Sequence, residues 1–136
     1  MPALGAVKPV FWTKDVLPPN MTQTVGIVTE DFAKAQPDKI RALIAGRQAG
    51  VKFLWAHPDE AADITANAYN IDATLTRAVF KHLIEINYWG EGAFDYVAMD
   101  RMVEGLAIVG KLKEPMDWAK VVDSGFLPQD LQAKAH

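Results

Sequence analysis

Two prolines placed twenty-one residues apart, Pro37 and Pro58, do more than any other feature to limit how this chain can fold. Proline has a fixed φ and no N–H, so it suits the first position of a helix and breaks a later one. Acid follows each proline, Asp38 after the first and Asp59 with Glu60 after the second, and a helix N-terminus favours that charge. Between the prolines Ile40, Leu43, Ile44, Arg47, Val51 and Leu54 recur at helical spacing, while Ala42, Gly46, Ala49 and Gly50 leave room for close packing. Ahead of Pro37 the β-branched run Thr24, Val25, Ile27 and Val28 predicts a strand over 21–29. It ends at Thr29, whose hydroxyl can cap a short helix over 30–35.

The rest of the chain continues in helices. Asn70 and Asp72 provide a turn and a cap for a helix over 73–87, with Leu75, Val79, Leu83 and Ile86 on one apolar face and Phe80 and Ile84 widening it. Residues 88–94, with Gly90 and Gly92, read as a loop. Asp95 can cap a helix over 96–109, with Met99, Met102, Val103 and Leu106 inward and Gly110 as its left-handed stop. Short helices over 117–122 and 128–135 close the chain. At the other end, 1–9 read as loop, 10–12 as a short strand, and 13–20 as a connection carrying Pro18 and Pro19. The fold class is therefore mostly α with one or two short strands. A lone strand leaves both edges unpaired, so 21–29 needs a neighbour from 10–12, from another copy, or from chain outside these residues.

With 136 residues and 50% hydrophobic composition, the chain is long enough for one compact core. A net charge of −3 with scattered Lys and Arg argues against a nucleic-acid surface. Having no cysteine, the chain cannot form disulfides, thiolate metal sites or a cysteine nucleophile. The longest uncharged run, 16–29, is interrupted by two prolines and too short to span a bilayer. The N-terminal residues do not follow a secretion-signal pattern.

Candidate chemistry is sparse. His57, Asp59, Glu60 and Asp63 form the densest polar cluster, yet acid in a first helical turn is explained by the helix dipole. His82 and Glu85 lie three apart without a second such pair, so a metal site is not expected. Asp100 and Glu104, four apart, suit an exposed face; acid–base work would require one of them to be buried. The sole serine, Ser124, lacks the Gly-x-Ser-x-Gly elbow, and Gly90-Glu91-Gly92 lacks the strand and third glycine of a dinucleotide site. No catalytic residue, metal ligand or cofactor is expected.

The order "T-E-D-F", "P-D-K-I-R-A-L", an aromatic helix end at 53–55 and "H-P-D-E-A-A" resembles the C-terminal part of periplasmic solute-binding proteins of ABC importers, in the nitrate, sulfonate, taurine and thiamine-precursor group. The segment "A-I-V-G-K-L-K-E-P-M-D-W-A-K-V-V-D-S-G-F-L" looks like that group's closing helices. The resemblance runs from about Val10 onward and covers less than half of such a protein. It implies an α/β type II binding fold in which two lobes clasp a ligand, with 1–20 ending the inter-lobe connection and 21–136 forming the C-terminal helical part of the first lobe. It further implies a non-enzymatic, periplasmic protein that closes on a small anion or a thiamine pyrimidine precursor and is read by an ABC permease. Aromatic and neutral polar groups near the crossing and at the helix-to-loop junction, namely Trp12, Asn20, Thr22, Tyr88 and Trp89, are the candidate ligand contacts; core packing and turn formation are the plain alternatives. Two other readings stand beside this one. The chain could be a self-associating helical protein, a homodimer through its strand edge and apolar faces, or a small acid–base enzyme with Trp and Tyr walls.

Overall fold

In the computed structural model, the described residues are 10–17, 20–22 and 24–134. The helices are α1 (Thr13–Val16), α2 (Glu30–Ala35), α3 (Pro37–Ala56), α4 (Pro58–Tyr69), α5 (Ala73–Glu85), α6 (Tyr96–Ile108), α7 (Trp118–Val121) and α8 (Gln129–Gln132), with a 3-10 turn at Ser124–Phe126. Their starts follow from local chemistry. Thr29 Oγ1 accepts the Phe32 N–H at 3.2 Å, Asp72 Oδ1 the Leu75 N–H at 2.7 Å, and Asp95 Oδ1 the Ala98 N–H at 2.9 Å. Each bond satisfies a donor that the first helical turn leaves without an intrahelical partner. Pro37 and Pro58 open α3 and α4, as their missing N–H predicts. The ends share a device as well: Asn70 (φ 53°), Asn87 (φ 52°) and Gly110 (φ 70°) turn left-handed after α4, α5 and α6. The next residue's N–H then reaches back into the last turn, Ile71 to Ala66, Tyr88 to Leu83 and Lys111 to Leu106.

The expected strands do not form: none is present among the described residues, and 10–12, 21–22 and 24–29 follow no regular element. Val25, Ile27 and Val28 are exposed, Ile27 at 88%. β-propensity describes how a side chain fits a paired, half-buried sheet surface, and no pairing strand lies among the described residues. The Thr22 N–H donates instead to the Ala98 carbonyl of α6 at 3.1 Å. Pro18, Pro19, Gln23 and the proposed loop over 1–9 lie outside the described residues. The connection over 13–20 contains the single helical turn α1, and the closing helix expected over 128–135 is shorter, Gln129–Gln132.

The described residues divide into two compact units, 38–92 and the remainder, which comprises those described before 38 and after 92. In the 38–92 unit α4 and α5 form a helical hairpin about the connection 70–72. Ala61 and Ala62 on α4 are small enough for Phe80 of α5 to approach closely, and Leu54 and Trp89 complete the cluster. Arg77 straps the two helices with a two-point bond to Asp63, Nε to Oδ1 at 2.8 Å and Nη2 to Oδ2 at 2.6 Å. The buried faces are turned relative to the expected ones. On α3, burial follows Ile40, Gln48 and Val51, leaving Leu43 73% exposed. On α5 it follows Thr76 and Phe80, leaving Leu75 and Val79 near the surface. Aliphatic spacing marks a broad stripe, and the partner decides which edge of it is covered.

The other unit centres on α6, whose buried residues are Ala98 and Met99; Leu106, expected inward, is exposed. Leu127 and Leu131 are buried in the closing segment, Leu131 completely. The Trp118 Nε1–H donates to Asp100 Oδ1 at 2.7 Å, joining α7 to α6.

Candidate functional site

The five candidate ligand contacts fall in both units. Asn20 and Thr22 come together on α6. The Asn20 carbonyl accepts from Arg101 Nη1 at 3.3 Å, and the Thr22 N–H reaches Ala98 as described. Asn20 itself is left-handed, φ 54°, which its short amide side chain tolerates. Trp12 lies beside α1 and is 42% exposed. In this unit the polar backbone groups are engaged with α6, while the Trp12 ring retains accessible surface.

Tyr88 and Trp89 form the second group, in the 38–92 unit. Their rings meet edge to face at 5.5 Å, and Trp89 packs on Phe80 at 5.1 Å. Tyr88 is exposed and Trp89 half-buried, so the pair offers one anchored ring and one accessible ring. The following loop is tied to α3. Arg47 Nη1 donates to the Gly90 carbonyl at 2.9 Å, Gln48 Nε2 to Glu91 Oε2 at 3.2 Å, and Lys52 Nζ lies 3.8 Å from that same oxygen. Sequence reasoning missed these anchors, because the two hydrogen bonds join residues 43 apart and Gln48 and Glu91 carry no spacing signal that pairs them.

A groove of about 340 Å³ opens between the start of α4 and the end of α5, lined by Pro58, Asp59, Lys81, Ile84 and Glu85. Tyr88 and Trp89 do not line it. Its two carboxylates outnumber its one ammonium, and Pro58 lacks the N–H that a helix start would offer an anion. The lining does not favour an anionic ligand.

Several of the other titratable candidates are engaged in structural contacts. Asp63 is held below the usual carboxylate range, first by the hydrogen bond from Arg77 and then by its charge, with partial desolvation opposing. Asp100 accepts from Trp118, His82 lies only within 4.0 Å of Glu85, and Asp123 caps the turn containing Ser124 by accepting from the Gly125 N–H at 2.9 Å. No group of three or more His, Cys, Asp and Glu among the described residues could hold a metal ion. No helix among the described residues is long and apolar enough to cross a membrane.

Residues 3–61 match the family model described as NMT1/THI5 like, under half of the chain. This is a family of solute-binding proteins, so the resemblance is met over "T-E-D-F", "P-D-K-I-R-A-L" and "H-P-D-E-A-A" as far as Ala61, while the closing segment 107–127 lies beyond the match. Comparison with curated proteins and with solved structures gives no match.

Proposed function

We propose, from the NMT1/THI5-like signature of residues 3–61, that this chain is a partial solute-binding component of an ABC importer. The match supports a solute-binding role at the level of the family, together with a small-molecule ligand and transporter partners. It also suggests a periplasmic or extracellular setting. The finer reading is that 1–20 end the inter-lobe connection and 21–136 are the helical C-terminal part of the first lobe of a type II binding fold. The ligand is a small organic anion such as nitrate, a sulfonate or taurine, or a thiamine pyrimidine precursor. Function rests on lobe closure, with ligand favouring the closed state that the permease recognises and no covalent step. Trp12, Asn20, Thr22, Tyr88 and Trp89 are this chain's share of the pocket. The irregular 24–29 segment, with Ile27 almost fully exposed, supports the reading that strand partners lie elsewhere.

Titration calorimetry with nitrate, taurine and the hydroxymethylpyrimidine of thiamine tests this directly. The 136-residue chain should bind each no tighter than about millimolar, equivalent to roughly 4 kcal/mol. Tight one-to-one binding would refute the incomplete pocket. The DNA preceding the Met1 codon tests the rest: an open frame encoding the remainder of the first lobe and the second lobe, beside permease and ATPase genes, is expected.

The same exposed apolar side chains favour a second reading, in which copies of the chain associate as a homodimer. A sharp monomer boundary in sedimentation at high protein concentration would count against it.

A further inference from the structure

We propose that residues 88–91 form a strap, latched to α3 through Glu91 and Arg47, that holds the Tyr88–Trp89 ring pair in position. Four observations within the 38–92 unit carry this. Left-handed residues bound the strap, Asn87 at φ 52° and Gly92 at φ 113°, so its ends are sharp turns and not continuations of a helix. Its backbone is gripped at Gly90, whose carbonyl accepts from Arg47. Its side-chain anchor is the Glu91 carboxylate, which accepts from the buried amide of Gln48 and faces the Lys52 ammonium. Its ring anchor is Trp89 against Phe80, with Tyr88 carried edge-on outside it.

The chemistry explains the residue choice. Gln48 is 8% exposed on a helix face that is otherwise apolar, and a buried amide is costly unless it is hydrogen-bonded. Glu91 supplies an acceptor, and Lys52 offsets the charge of that acceptor near the surface. Aliphatic packing alone would hold Trp89 against Phe80 without fixing the backbone beyond it. The polar latch fixes that backbone and so limits the orientations open to Tyr88. Glu91, Gln48 and Arg47 are thus positioning residues that act on a ligand through the two rings.

The importance of the strap for ligand binding rests on the solute-binding reading, but the latch can be tested without any ligand. Backbone 15N order parameters of the full chain should be helix-like, about 0.85, over 88–91, and should fall below about 0.6 in Glu91→Ala and in Arg47→Ala. The α4 and α5 values should not change. Glu91→Gln, which keeps an acceptor for Gln48 but loses the Lys52 attraction, should retain most of the order. Unchanged order in both alanine variants would overturn the proposal, as would loss of order in α4 and α5 together with the strap, since those residues would then hold the whole unit. Rigid strap values combined with tight one-to-one ligand binding by the 136-residue chain would leave the latch standing and count against the incomplete-pocket reading alone.

Discussion

Asp63 and Arg77 meet as a two-point ion pair that fastens α4 to α5, and the pair makes a testable statement about pH. Because the bond from Arg77 lowers the Asp63 pKa in the folded state, its contribution to stability is present above the unfolded carboxylate value, about 3.9, and is lost as pH falls through the folded value. Chemical denaturation below pH 4 should therefore weaken the native chain more than Asp63→Asn, whose stability lacks this dependence. Both side chains are substantially exposed, so the difference should be small and diminish with added salt. Leu131 is the opposite case, wholly buried. Leu131→Ala should cost about 2–5 kcal/mol in urea unfolding, with the spread set by how far its surroundings collapse. Of these contacts, local caps such as Thr29, Asp72 and Asp95 are legible in sequence, since donor and acceptor lie within a turn. The Arg77–Asp63 and Gln48–Glu91 pairs are not, because their separations carry no periodic signal.

At the scale of elements, α4 and α5 depend on a short connection that must both end one helix and start the next. Asn70 takes the left-handed position and Asp72 the cap, so Asp72→Ala should lower thermal stability by about 1 kcal/mol through the lost bond to the Leu75 N–H. Phe80→Ala should cost about 3–5 kcal/mol by the same melts, since Phe80 fills the space above Ala61 and Ala62 and supports Trp89. Helix starts and stops were readable because proline, aspartate, asparagine and glycine act on their own backbone. The buried face of each helix was readable only to within an edge, as Leu43 and Leu75 show. The strand over 21–29 failed for a different reason: a helix satisfies its own backbone groups, whereas a strand requires a second segment.

At the scale of the molecule, each unit leaves large aliphatic side chains in contact with water, Leu43 and Ile64 in one and Ile27 and Ile108 in the other. Scattered exposure is ordinary, but an exposed β-branched run such as Val25, Ile27 and Val28 outside any helix can serve for pairing. Sedimentation should show concentration-dependent association of the native chain, and Ile27→Lys should reduce it while leaving the helical circular dichroism unchanged. Equal association in the variant would place the contact elsewhere.

From sequence alone follow the mostly helical class, the positions where α2 to α6 begin, and the family resemblance, because each depends on residues acting within a turn or on a contiguous pattern. Tertiary structure alone decided which face each helix buries, that 24–29 stays unpaired, and that Glu91 reaches Gln48 to anchor the ring pair. Those outcomes depend on which distant segment is present to pack or hydrogen-bond, and the order of residues along a chain does not record that.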